Sequence, residues 1–401
     1  MQYFSGQEYL KIDIANNFGL DKKLWNERID WFDAHESQLE KMVPQAEVPA
    51  LFYAGVKAYR DSQNQVPSGY PISLDATSSG IQLLACLTGD RKTASICNVI
   101  DSGKREDAYT AIYEAMLEII GEDAQVTRNQ TKEAIMHSVY GSEASPKRVF
   151  GEGILLDVFK HTMSEMCPIV WELNKVFLDI WDSTVSSHDW VMPDNFHVHV
   201  KVMNKRKETV HFLNAPYEVF TKVNEPVKKG RSLGANTTHS IDAMVVREMT
   251  RRCDYNPETI KEVRRMVFTH FDVPMEVDEN ASSLLVQQLW KNYEDSGYLS
   301  ARILDYLNYD NFGLVDRSVI LELIESLPPK PFKILAIHDC FRCLPSYAND
   351  LRQQYIFQLS LIAKSEMLSY LMSQIMNRPI NVGKADPDLW KEILESEYPL
   401  S

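Results

Sequence analysis

Three short stretches of the chain combine residue types that can do chemistry. The first is Ser73-Leu74-Asp75-Ala76-Thr77-Ser78-Ser79-Gly80-Ile81-Gln82. An apolar run precedes its aspartate and a helix-like run follows, so Asp75 is expected at the carboxyl end of a strand. A carboxylate held there is rigid and can bind a hard cation. The plain alternative is an aspartate that caps the helix. The second stretch is Ile337-His338-Asp339-Cys340-Phe341. Its His-Asp pair lies between two short apolar runs and is expected at a hairpin tip. The dipeptide alone is weak evidence. His188-Asp189 repeats it without comparable flanks, and aspartate is a common turn residue.

The third stretch holds Arg128, Lys132, Tyr140 and Gly141. On a helix, Arg128, Lys132, Met136 and Val139 share roughly one face. Lys132 and Tyr140 would stand ~12 Å apart at ~1.5 Å per residue. That is about the reach of a nucleotide from terminal phosphate to base. Arginine and lysine could hold a triphosphate, while Tyr140 packs at the sugar and base. Gly141 would let the chain turn away. The alternative is a solvated basic helix face beside a core tyrosine. With four fixed residues at fixed spacings, this pattern is the most specific of the three. Together, Asp75 and Asp339 could converge on two Mg2+ ions ~3.5–4 Å apart, the two-metal arrangement for nucleotidyl transfer.

The elements that must position these residues can be read from periodicity. Helices are expected over 8–14, 24–39, 80–87, 107–120, 129–139, 154–181 and 239–252, with Ser78 or Ser79 capping the third. A short strand is expected at 70–74. Alternation at 197–202, 209–213 and 218–223 predicts a hairpin or meander. Asn204-Lys205-Arg206 and Asn214-Ala215-Pro216 are read as its breaks. Residues 256–331 form a separate helical stretch ending in Pro328-Pro329-Lys330-Pro331. Strands at 333–337 and 341–344 follow, then one long helix over 349–377. A last helix covers 388–396, with Asp386 as its cap. The fold class is α+β, mostly helical.

The chain has 401 residues, 44% hydrophobic and 24% charged, the mix of a globular protein. No apolar run reaches about 18 residues, so no membrane span is expected. The first ten residues have no secretory or transit pattern. Six cysteines include a lone Cys340-x-x-Cys343, with no second pair at zinc-finger spacing. This usage suits a reducing cytosol. Lys and Arg number 42 and Asp and Glu 56, for a net charge of −14. That balance runs against nucleic-acid binding, which leaves a basic footprint.

The motifs nevertheless resemble those of the phage-type single-subunit DNA-dependent RNA polymerases, which include the mitochondrial enzymes. Ile14-Ala15-Asn16-Asn17-Phe18-Gly19-Leu20-Asp21-Lys22, with Glu27-Arg28, resembles the start of that family's palm. Residues 75–82 resemble its motif A, and Asp107-Ala108-Tyr109 the start of its fingers. Residues 128–141 resemble motif B, Asn236-Thr237-Thr238-His239-Ser240-Ile241-Asp242 a further signature, and 337–341 motif C. Residues 393–398 resemble its C-terminal end. The order is the family's, and all but about 250–331 is covered.

The resemblance implies a polymerase right-hand fold, with a short antiparallel palm sheet and helical fingers. The palm would take 1–103 and 240–401, and the fingers 104–239, with an inserted helical segment at about 250–331. Asp75 and Asp339 would bind the two Mg2+ ions, helped by the Ala76 carbonyl. Arg128, Lys132 and Lys22 would contact the triphosphate. Tyr140 and His239 would sit at the sugar and favour a ribonucleotide, and Tyr109 would lie near the template base. The hairpin at about 190–222, with Lys201, Lys205, Arg206 and Lys207, would read promoter DNA.

The partners implied are a DNA template and promoter, nascent RNA and ribonucleoside triphosphates, with room for an accessory DNA-binding activator. The family's N-terminal domain and thumb have no counterpart in this chain. A heterodimer with a second polypeptide that supplies them is therefore expected, with a truncated chain as the competing explanation. The implied location is the cytoplasm of an infected bacterial host. Two features depart from the family: Ala76 follows the first aspartate where glycine is usual, and the tail ends Pro399-Leu400-Ser401. The rivals are a family A-like DNA polymerase fragment, disfavoured because no Glu follows Asp75 in motif A, and a non-catalytic palm-like subunit.

Overall fold

The computed structural model describes residues 1–121, 125–269 and 280–401. Among the described residues seven strands lie among many helices, an α+β and mostly helical architecture. Strands β1 (Ile72–Asp75), β6 (Leu335–Ile337) and β7 (Cys340–Cys343) form one antiparallel sheet, in the order β1-β7-β6. β2 (Ser187–Val191) pairs with β3 (His197–Lys201). β4 (Met203–Phe212) pairs with β5 (Ala215–Asn224).

The small sheet is where the two ends of the chain meet. Helix Gly6–Ala15 packs on β1, and helix Ala348–Lys364 on β7. The first begins at Ser5, whose hydroxyl accepts from the Glu8 N–H while Glu8 reaches back to the Ser5 N–H. That reciprocal pair satisfies two of the donors a helix start leaves open. Helix Ser79–Thr88 is mostly apolar and buried from Gly80 onward, because it runs through the core, with Gln82 and Thr88 hydrogen-bonded inside it. A second core lies in the segment 255–327, built from residues such as Val263, Met266, Val286, Leu289, Phe312 and Ile320. The part of that expected helical stretch at 270–279 lies outside the described residues.

Several expectations need correction. The expected helix 154–181 is two helices, Ile154–Met166 and Pro168–Asp179. Pro168 forces Cys167 out of the helical region, to φ −131° and ψ 56°. The expected helix 349–377 is also two, Ala348–Lys364 and Met367–Ile375. Here the cause is tertiary. Ser365 is extended, and the Glu366 N–H donates to the Ser296 carbonyl at 2.7 Å instead of continuing the helix. Asn204-Lys205-Arg206 is not a break but part of β4, opposite Val223, Lys222 and Thr221. Two exposed faces impose no alternation on a strand. The turn is Leu213-Asn214, both at positive φ, as a two-residue hairpin turn requires.

Two caps also differ. Ser78 stands at the start of helix Ser79–Thr88, but its side chain makes no cap bond. The last helix is only Leu389–Ile393 and starts at Asp388. Asp386 instead accepts the Asp388 N–H at 3.0 Å and pairs with Arg91. Among the described residues, no helix is long and apolar enough to cross a membrane.

Candidate active site

The sheet register brings the two aspartates together. Asp75, the last residue of β1, lies opposite Cys340, the neighbour of Asp339. The Ala76 N–H donates to the Asp339 carbonyl at 3.1 Å. His338 takes φ 62° at the tip between β6 and β7. Its Nδ1 lies 3.6 Å from Asp242 and 3.7 Å from Asp339. Asp75 reaches solvent, yet the crowded surroundings push its carboxyl up to about 6, with the nearby Asp339 charge adding to the effect. Two carboxylates that repel each other suit a bound cation. Both are hard oxygen donors, which fits Mg2+, and Ala76 lines the cleft beside them. Two side chains leave most coordination positions to phosphate and water. Among the described residues, no group of three or more His, Cys, Asp or Glu side chains gathers for a metal.

β1 is an edge strand, and its outer edge is held in two ways. Asp13 is buried and accepts the Ser73 N–H at 2.8 Å and the Tyr70 hydroxyl at 2.7 Å. Burial pushes its carboxyl up to about 6. Further along the strand, Asp75 and Ser401 exchange backbone hydrogen bonds at 3.3 and 2.9 Å. The tail therefore lies beside the aspartate despite its unusual last residues. Sequence reading treated Asp13 only as part of a helix. Its one signal was an acid amid the apolar residues Ile12 and Ile14.

A cleft of about 840 Å3 opens in front of the pair. Asp75, Ala76, Asp339, Lys22, Tyr109, Arg128, Lys132 and Tyr140 all line it. So do Met136 and Val139, so the predicted helix face is the one turned to the cleft. That helix, Arg128–Ser138, starts with Thr127 and Gln130 in a reciprocal cap. Gly141 follows at φ 85°. Arg128 is not free. It pairs with Asp107 and donates to the Thr110 hydroxyl at 2.6 Å. Lys22 lies 3.8 Å from the same Asp107. Burial opposes the Asp107 charge, but hydrogen bonds from Thr110 and Arg128 hold its carboxyl below the usual range. Lys132 lies over the Tyr109 ring, 5.2 Å from its centre. The Tyr109 hydroxyl faces Ser78 at 3.4 Å.

Tyr140 packs edge-on against His239, ring centres 4.9 Å apart. Burial pushes its hydroxyl up to about 12, so it is a neutral donor. Gly80 lies directly beneath it, and a Cβ there would overlap the Tyr140 hydroxyl. His239 itself lines an adjoining pocket with Asp242 and His338. Arg342, which sequence reading missed, also lines the cleft, with a buried Nε that has no hydrogen-bond partner among the described residues.

The four cations assigned to DNA lie outside the cleft. Lys201 is on β3, and Lys205, Arg206 and Lys207 are on β4. Arg206 pairs with Glu225 at 2.6 Å, and Lys207 pairs with Glu218.

Residues 4–149 match the family model described as DNA-dependent RNA polymerase. That stretch holds Asp75, Arg128, Lys132 and Tyr140, and the sheet adds Asp339. The chain is 31% identical over 179 residues to the mitochondrial DNA-directed RNA polymerase 1 of Arabidopsis thaliana, covering 36% of this chain and 18% of that protein. It is 27% identical over 164 residues to the mitochondrial enzyme of Neurospora crassa, covering 34% and 12%. It is 22% identical over 306 residues to the DNA-directed RNA polymerase of Pseudomonas phage phiKMV, covering 59% and 37%. The matched part thus spans well under half the length of these relatives. By motif order, by the matched segment and by these relatives, the chain is related to the single-subunit, phage-type DNA-dependent RNA polymerases.

Proposed function

We propose that this chain is the catalytic subunit of a DNA-directed RNA polymerase, joining ribonucleoside triphosphates on a DNA template. One observation carries the reading. The Asp75–Asp339 pair and the Arg128–Lys132–Tyr140 face open into one cleft, though the sequence scatters them.

In this reading Asp75 and Asp339 would hold two Mg2+ ions, with the Ala76 carbonyl beside them. Bound there, the metals would lower the pKa of the attacking 3′-hydroxyl and neutralise charge on the leaving pyrophosphate. Arg128 and Lys22, gathered at Asp107, orient the phosphates. Lys132 Nζ would neutralise, and donate a proton to, the leaving phosphate oxygen. Tyr140 and His239 flank the sugar, where a neutral hydroxyl can pair with the 2′-hydroxyl. Gly80 leaves room for Tyr140 in this place, because a side chain there would collide with its hydroxyl.

A second polypeptide is proposed to supply an N-terminal domain and thumb. A phage origin, with action in the cytoplasm of an infected bacterium, belongs to the same proposal. The phage relative, which matches the largest share of this chain among the three, supports that part.

The test is template-directed synthesis by the chain with its partner. Asp339→Ala should abolish RNA synthesis while the circular dichroism spectrum is kept. RNA made at the normal rate by that variant would sink the assignment. Faster incorporation of deoxyribonucleotides than ribonucleotides would favour the DNA polymerase reading instead.

A further inference from the structure

We infer that Arg342 binds the last phosphodiester of the growing RNA strand, the linkage next to the 3′-hydroxyl that the metals would activate. The inference rests on the proposed function and adds a contact in that same cleft.

The register of the small sheet fixes where Arg342 stands. Side chains alternate along a strand, so Ser73 and Asp75 of β1 share one face with Cys340 and Arg342 of β7. The other face is core, with Ile72, Leu74, Phe341 and Cys343 buried. Arg342 lies opposite Ser73, two positions from the pairing of Asp75 with Cys340. Two positions are ~7 Å along a strand, about the length of one nucleotide unit. The residues assigned to the incoming nucleotide sit on the other side of Asp75. Lys132 lies over Tyr109, whose hydroxyl faces Ser78, and Tyr140 lies over Gly80. Ser78 and Gly80 follow Asp75 in the chain, whereas Ser73 precedes it. A strand that brings its 3′-hydroxyl to Asp75 and leaves the triphosphate side free therefore trails past Ser73 and Arg342.

The Arg342 side chain lacks an acceptor of its own. Its Nε is buried and has no hydrogen-bond partner among the described residues. Asp13 feels the Arg342 charge, but its oxygens accept the Ser73 N–H and the Tyr70 hydroxyl. Burial and the Asp75 charge keep the Cys340 thiol neutral. A buried donor without an acceptor is costly, and a phosphate removes that cost. The guanidinium fork matches phosphate oxygens. The way in is open, because Leu335, opposite Arg342 on β6, and Ile337 beyond it are both exposed.

The test extends an RNA primer on a DNA template with the full chain and its partner. It compares a natural primer with one whose last linkage is an uncharged methylphosphonate. The wild type should show a KM about tenfold higher for the neutral primer, the scale of one charge-assisted hydrogen bond. Arg342→Gln should raise KM for the natural primer by the same factor and treat the two primers alike. It should leave KM for the nucleotide within about twofold. Arg342→Lys, which keeps the charge, should restore most of the difference between primers. Undiminished preference for the charged linkage in Arg342→Gln would overturn the inference, and so would a rise in nucleotide KM in place of primer KM. Binding of the two primed templates, followed by fluorescence anisotropy without nucleotide, separates the two claims. A wild type that prefers the charged linkage through Arg342 but makes no RNA refutes the polymerase reading alone. A chain that makes RNA while Arg342→Gln keeps the preference refutes this inference alone.

Discussion

The cleft and the β4–β5 hairpin both present cations for phosphate, but they are organised in opposite ways. In the cleft Arg128, Lys22 and Lys132 each have a neighbour beside them. Asp107 gathers Arg128 and Lys22, and the Tyr109 ring underlies Lys132. These neighbours sit on helices that the main core holds in place. In the hairpin, Lys205 and Lys222 face each other, and the rings beside them are exposed. A two-stranded hairpin alone is marginally stable in water. The cleft is thus held by the main core, while the hairpin is held by its own strand pairing. The difference suits the two jobs: chemistry needs preset geometry, and holding a phosphate backbone needs only charge.

Substitutions can break this comparison, and the largest effects belong to the cleft. Lys132→Ala should lower kcat/KM for nucleotide addition about 10²- to 10³-fold, the usual loss for one transition-state donor. Lys205→Ala, assayed on the same primed template, should leave that step within about twofold, because it touches no triphosphate. Equal losses would mean that the hairpin takes part in the chemistry.

A second effect comes from beneath the cleft. Burial raises the Asp13 carboxyl from its ordinary value to about 6, so the folded chain holds this proton more tightly than the unfolded one. Its contribution is therefore most favourable below the unfolded value. It is lost as pH rises through about 6. At ~1.4 kcal/mol per pH unit, the stability of Asp13→Asn relative to wild type should rise by ~2 kcal/mol between pH 4 and 7. Urea midpoints measured across that range check it. A difference that does not change with pH would mean that Asp13 is not buried as described.

Next in size is Gly80→Val. The new side chain must displace Tyr140, an overpacking cost of ~1–3 kcal/mol. Ribonucleotide KM should rise about tenfold, and discrimination against deoxyribonucleotides should fall. Steady-state kinetics with both nucleotides measures it. The smallest effect is expected at the hairpin tip. Leu213 is 83% exposed, and Leu213→Asn should change stability by less than about 0.5 kcal/mol. A larger loss in thermal melting would show that the tip packs on something.

Much of the site was legible in the sequence. Helix periodicity put Arg128, Lys132, Met136 and Val139 on one face, because side-chain spacing on a helix is a local property. Strand ends and turns located Asp75 and His338-Asp339 for the same reason. The illegible parts depend on distant partners. Glu366 leaves its helix to bond Ser296, and no local signal marks that. Asp13 stood out only as an acid between Ile12 and Ile14, and its role comes from the distant Ser73 N–H on the sheet edge. Lys205 and Arg206 looked like a break because polar runs usually are, but paired, solvent-exposed strands accept them.

By itself, then, the sequence determined the helices, the turns and the types of residue available for chemistry, since each rests on contacts within a few positions. Only the tertiary structure decided which carboxylates meet, what anchors Arg128, and that Gly80 makes room for Tyr140. Those facts rest on pairings such as Asp75 with Cys340. Their geometry is set by how the whole core packs rather than by any stretch of chain alone.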